Sequence, residues 1–235
     1  SGPTNYTITW GDGTEVTDTI DGELQIDHSY ADSDTEYTAR LCFDDASLVT
    51  QLDFSQGDDA SLTSITGLQN LPNLRDFNAD WNSLTTVNLS GLANLLYVDI
   101  SDNYVLDASG DSSLTSVNLS GCTALEELRL DDSDFSAGIP SLAGLTSLTN
   151  LDLDQCLITG ALDLSMLSAL ESFDLSNNTG LTSVTLPASN INDANLYGTA
   201  LLPAVVNTIL QQLDANGVIN GYVSMEDGTS AAATG

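Results

Sequence analysis

Lysine is absent from this chain, and Arg40, Arg75 and Arg129 are its only strong bases. Set against 34 acidic residues, they leave a formal net charge of -31 over 235 residues. Such a field repels phosphate backbones and anionic headgroups, which excludes nucleic acid as a direct partner and favours cations and cationic molecules. It also imposes self-repulsion that salt screens, so a saline exterior is the expected setting. Long apolar runs are missing as well. No stretch approaches the roughly 18 apolar residues of a membrane-spanning helix, and membrane insertion is not expected. Histidine occurs once, and zinc spacings, GxSxG and phosphate loops are lacking, so enzyme chemistry has no support in the sequence. Carboxylates are so abundant that a glycosidase-like pair among them is uninformative. Cys42, Cys122 and Cys156 are odd in number and widely spaced, without a CxxC pair, and are expected to be small buried hydrophobes. The opening "SGPTNYT" has no Met and no secretory leader, as expected of a processed or excerpted segment.

What is present is a repeat. The pattern LxxLxLxx(N/C) starts at Val49, Leu74, Leu95, Leu125, Leu148, Leu170 and Ile191, with spacings of 25, 21, 30, 23, 22 and 21 residues. The longest spacing holds an insertion, "YVLDASGDSS". Taken alone, "ALEELRL" (124–130) has the look of an amphipathic helix. Its leucines nevertheless share the register of six other segments, and a helix there would break the stack. Between these segments lies a second signature, "LTSITGL" at 62, "LTTVNLSGLANL" at 84, "LTSVNLSGCTAL" at 114, "ITGALDLSMLSAL" at 158 and "LTSVTLPAS" at 181. It reads as a second short strand on the far side of each coil.

Spacing and consensus fit a leucine-rich repeat. The double signature resembles the short bacterial repeats of internalin-like surface proteins and of marine bacterial and phage proteins. That resemblance implies an extracellular binding solenoid with a parallel β-sheet on its concave face. One coil cannot bury its own apolar side, so stacking is expected to join Leu128, Leu130, Leu151, Leu153, Phe173 and Leu175 into one core. The ninth residues Asn82, Asn103, Cys156 and Asn178 should turn inward and satisfy backbone groups at the corner.

Open solenoid ends need covers. Residues 1–45 form the expected N-terminal cap, a small antiparallel β unit, in which Tyr6, Ile8 and Trp10 alternate before the turn "GDGT". "WGDGT" and "HSY…EYTARL" resemble the second half of a polycystic-kidney-disease-type, immunoglobulin-like domain, with His28 as a packing residue. Residues 46–201 hold about seven repeats, and residues 202–235 form the C-terminal cap of helix plus strand. In "LPAVVNTILQQLDANG", Pro203 marks the first turn, Val205, Val206, Ile209, Leu210 and Leu213 share a face, and Gly217 is the stop.

Side chains alternate along a strand, so the third, fifth and seventh residues of each repeat point away from the core. The fifth column reads Asp53, Asn78, Asp99, Arg129, Asp152, Asp174 and Asn195, and the third reads Gln51, Asp76, Tyr97, Glu127, Asn150, Ser172 and Asp193. Trp81, Tyr97, Asp99, Asp102, Arg129, Asp131, Asp152 and Asp174 are the candidate ligand contacts on this face. Two readings apply to Arg129, neutralisation of the ladder between Asp99 and Asp152 or a contact for ligand. Trp81 is either a recognition aromatic or the filling of a corner. Asp131, Asp132 and Asp134, or Asp58 and Asp59, offer hard oxygens for calcium, although no EF-hand-type loop accompanies them. The expected function is adhesion or recognition of a protein or glycan on a cell surface, by a secreted, surface-displayed or virion-borne module. The alternative is self-assembly, as a structural subunit of an extracellular filament, surface layer or virion fibre.

Overall fold

The computed structural model describes residues 4–20, 37–55, 62–105, 112–216 and 222–224. Leu24, Ile26, His28, Tyr30, Asp58, Asp59, Gly217, the middle of the insertion and the tail beyond Ser224 lie outside the described residues. In chain order the first strands are β1 (Thr4–Thr9), β2 (Glu15–Ile20), β3 (Arg40–Phe43), β4 (Gln51–Asp53), β5 (Asp76–Asn78) and β6 (Thr86–Asn88). Then come β7 (Tyr97–Asp99), β8 (Tyr104–Val105), β9 (Ser112–Ser113), β10 (Ser116–Asn118), β11 (Glu127–Arg129) and β12 (Asn150–Asp152). The last are β13 (Thr159–Asp163), β14 (Ser172–Asp174), β15 (Gly180–Thr185), β16 (Asp193–Asn195), the helix α1 (Pro203–Ala215) and β17 (Tyr222–Ser224).

Each repeat segment contributes one strand to an eight-stranded front sheet of order β17-β16-β14-β12-β11-β7-β5-β4, with β17 as its last member. All of its pairings are parallel and in register. "ALEELRL" thus yields β11 and not a helix. Side-chain alternation explains the outcome. The first residues Leu74, Leu95, Leu125, Leu148 and Leu170 are fully buried, as are the fourth and sixth residues Phe77, Val98, Leu128, Ala79, Ile100 and Leu130. They belong to one continuous cluster running from Val49 to Leu213. The chain is therefore mostly β, a repeat fold of solenoid type.

A fixed corner ends six of the eight front strands. The fifth-column Asp or Asn accepts a hydrogen bond from the backbone N–H two residues on: Asp53 from Ser55, Asn78 from Asp80, Asp99 from Ser101, Asp152 from Asp154, Asp174 from Ser176 and Asn195 from Tyr197. This is the Asx turn, which ends a strand from its own side chain. The eighth residue then takes the left-handed region, with φ of 53° at Trp81 and Asp102, 54° at Asp132, 51° at Gln155 and 57° at Asn177. At the ninth position Asn178 is wholly buried and donates to the carbonyls of Leu153, Leu175 and Ser176, while its Oδ1 accepts from Ile158 N. Asn82 and Asn103 repeat the pattern. Cys156 substitutes a thiol that donates to Leu130 O at 3.2 Å. Ser133 holds the same position, but its shorter hydroxyl is buried without a partner among the described residues.

The far side departs from expectation. Strands form at β6, β10, β13 and β15, but "LTSITGL" does not form one. Among the described residues of the far side β6 pairs with β10 and β13 with β15, both parallel, and the coil between the two pairs passes through Gly138, at φ 125°, and Pro140, which has no N–H to donate. The insertion closes as the antiparallel pair β8–β9.

At the N-terminal end β1 lies between β2 and β3 in an antiparallel sheet, with Tyr6 and Ile8 buried. Phe43 and Ala46 link it to the main core. At the other end α1 buries Val206, Ile209 and Leu213 against the last coil. Asn216, its C-cap, donates to the carbonyls of Pro187 and Ser189. Leu210, expected on the buried face, is exposed, which narrows the apolar stripe of the helix.

Candidate functional site

The front sheet carries Tyr97, Asp99, Arg129, Asp152 and Asp174 in its third and fifth columns, and Trp81, Asp102 and Asp131 lie in the turns that follow its strands. Arg129 stands beside Asp99 on one side and Asp152 on the other. Its guanidinium is held chiefly by Glu127 of its own strand, with Nη2 2.6 Å from Glu127 Oε1, while on the β7 side Nη1 lies 3.8 Å from Asp99 Oδ2 and the Tyr97 ring centroid is 5.8 Å away. These contacts place Arg129 where it offsets the charges of Glu127 and Asp99. The side chain is still 48% exposed.

Asp99 differs from its expected place as a ligand contact. It is 5% exposed, and its oxygens accept from Tyr97 Oη, Ser101 N and Ser101 Oγ. Burial and that bond to Asp99 also push the Tyr97 phenol upward. Asp174 is similarly engaged with Ser176 and Asn195. Asp152 uses Oδ1 for its Asx turn, and burial, with Asp174 alongside, raises its carboxyl to about 6.

Asp131 follows the one strand whose fifth residue is not Asx. Burial first, and the charges of Asp152, Asp102 and Asp99 after it, raise it to about 7. Asp102, Asp131 and Asp132 each offer an oxygen, and these atoms lie within 4.8 Å of one another. Asp134, grouped with Asp131 and Asp132 in the sequence, belongs elsewhere. It accepts from Ser136 N in an Asx turn of its own, which lowers its carboxyl, and Asp102 takes its place in the cluster. These hard oxygens suit calcium in kind. Asp132 is already bonded to Gln155, and the cluster has no other feature that marks a cation site.

Trp81 does not fill a corner. It is 63% exposed, in the left-handed position that Asp, Gln or Asn takes on the following coils. Farther along the sheet a basin of about 470 Å³ opens over β11, β12, β14, β16 and β17. It is lined by Arg129, Asn150, Asp152, Asp174, Asp193 and Tyr222, among others. Tyr222 and Asp193, which register side by side, were not among the expected ligand contacts. Asp193 was legible as the last third-column residue, whereas Tyr222 enters the column only through the pairing of β17.

No family model matches the chain, and no curated protein matches it. Among solved structures it is similar to the functional domain of InlJ from Listeria monocytogenes, described as including a cysteine ladder. Identity is 18% and the TM-score 0.21, and the match covers 66% of this chain and 50% of that one. At that TM-score the fold assignment rests on the strands and hydrogen bonds of this chain itself. None of these matches supports the immunoglobulin-like resemblance at the N-terminus, where the described residues form three antiparallel strands.

Proposed function

We propose that the chain is a leucine-rich-repeat solenoid of the internalin-like kind, capped by residues 1–45 and 202–235. It acts as an extracellular adhesion or recognition module that binds a protein or glycan on a cell surface through its concave front sheet. The observation that carries this reading is Trp81. A large exposed aromatic in the left-handed region is disfavoured by roughly 1 kcal/mol against the alternatives. Polar residues fill the same position on the following coils. Exposed aromatics amid polar surroundings are the usual anchors for sugars and proteins. Among the described residues no helix is long and apolar enough to cross a membrane.

The test is an array of cell-surface glycans and proteins, probed with the chain and two variants. Trp81→Ala should lose the captured ligand, while Thr86→Glu, on exposed β6 of the far side, should keep it. Capture lost only in the far-side variant would sink the concave-face reading. Assembly into an extracellular lattice is the rival function, and electron microscopy of the native particle separates them. Repeating contacts that cover Trp81 would favour the lattice.

A further inference from the structure

We propose that the basin over β11 to β17 is a seat for a cationic side chain, arginine or lysine, of a partner polypeptide. This deepens the concave-face reading and rests on it. The basin is lined by four carboxylates, Glu127, Asp152, Asp174 and Asp193, against the single guanidinium of Arg129. That guanidinium offsets Asp152 only in part, because it is engaged by Glu127 on its own strand and by Asp99 on β7. What remains is Asp152 beside Asp174, on strands about 4.8 Å apart, with Asp193 on the next strand. Among the described residues no side chain bonds Asp193 or the second oxygen of Asp152.

A neutral sugar covering these groups would remove them from water and leave their charges uncompensated, whereas a guanidinium or ammonium compensates them. Tyr222, 65% exposed at the rim, supplies a ring face for the aliphatic stem or the cation itself. The guest has to come from another molecule. This chain has no lysine, its other two arginines lie on β3 (Arg40) and beside β5 (Arg75), away from the β17 end of the front sheet, and its net charge of -31 opposes a second copy.

Calorimetry with a tetra-arginine peptide tests the proposal, with the tetra-citrulline peptide as a neutral isostere and cellotetraose as the sugar arm, all at 0.15 M sodium chloride. The basin variant is Asp152→Asn with Asp193→Asn. Asparagine keeps the Asx acceptor, as Asn78 and Asn195 do on their own strands, so folding should survive and is checked by thermal melting. The control, Glu15→Gln with Asp214→Asn, removes the same charge from exposed positions outside the basin.

The expected result is arginine-peptide binding that falls by about tenfold in the basin variant and by the citrulline exchange, and by less than about twofold in the control. Equal losses in both variants would reduce the effect to the general field and overturn the proposal, as would absence of binding. Cellotetraose binding that the basin variant abolishes, with the arginine peptide unaffected, also overturns it. That last outcome leaves the concave recognition face standing, whose own failure is read from the Trp81→Ala array.

Discussion

Single residues hold the corners of this molecule, and Asn178 shows how much rests on one amide. Its side chain satisfies three carbonyls and one backbone N–H in a site closed to water. Alanine there leaves several buried polar groups without partners, and the expected loss is about 3 kcal/mol. Urea unfolding should show a lower midpoint with an unchanged slope. A loss below about 1 kcal/mol would mean that water replaces the amide. Trp81 predicts the opposite sign. Asparagine tolerates the left-handed region better, so Trp81→Asn should leave the unfolding midpoint unchanged or raise stability by up to about 1 kcal/mol. Destabilisation would return the indole to a packing role. The inward turn of the ninth residue was legible in the sequence, because Asn and Cys recur after the last apolar residue. Exposure of Trp81 was not, since a residue at a strand end faces core or solvent according to a backbone angle that the pattern does not encode.

At the level of strands and turns, the fifth column changes meaning. In the sequence its Asp and Asn residues read as an acidic recognition surface, but in the fold six of the seven are turn acceptors, and Asp99 is buried. The signal was present, because Asp or Asn followed two residues on by a turn-forming residue is an Asx turn. The interruption of the far side was less visible, since Pro140 and Gly138 lie in a coil whose leucines keep their spacing. Arg129 breaks the column, and beyond it Asp131 meets Asp102 and Asp152 without a counter-charge of its own. This gives the protein an unusual pH dependence. Asp131 is raised to about 7 and Asp152 to about 6, whereas an unfolded aspartate titrates near 3.9. Between about pH 4 and 7 the native state therefore holds more protons than the unfolded chain, and stability falls as pH rises through that window. Asp45, Asp134 and Asp163 act in the other direction. Serine hydrogen bonds lower them, and their contribution is lost only as pH drops below the unfolded value. Melting temperature should be higher at pH 5.5 than at pH 8, and Asp131→Asn should raise the pH 8 value while shrinking the difference. A melting temperature that climbs with pH across this range would contradict the assignment.

Over the whole molecule, 34 acidic residues and three arginines share a stack whose parallel strands place like charges in rows. Asp152 stands beside Asp174 in the sheet, and burial together with the charge of Asp154 raises the carboxyl of Asp132. The apolar core holds the coils together against this repulsion, and the core is indifferent to chloride salts at moderate strength. Raising sodium chloride from 0.01 M to about 0.5 M shortens the Debye length from roughly 30 Å to about 4 Å, which removes most of the repulsion between exposed groups. Melting temperature should rise steeply over the first 0.1 M and flatten after it. Chloride is the anion to use, because sulfate would strengthen apolar burial by exclusion and mimic the effect. Replacing sodium by choline at equal ionic strength separates screening from cation binding. Equal curves mean screening alone, and a higher sodium curve means that cations enter the carboxylate rows. Millimolar calcium at fixed ionic strength extends the comparison, since a bound ion stabilises in proportion to the logarithm of its concentration above Kd. A melting temperature that does not move between 0.01 and 0.5 M salt would show that the repulsion is already compensated in the native state, and the expectation of a saline setting would fall with it.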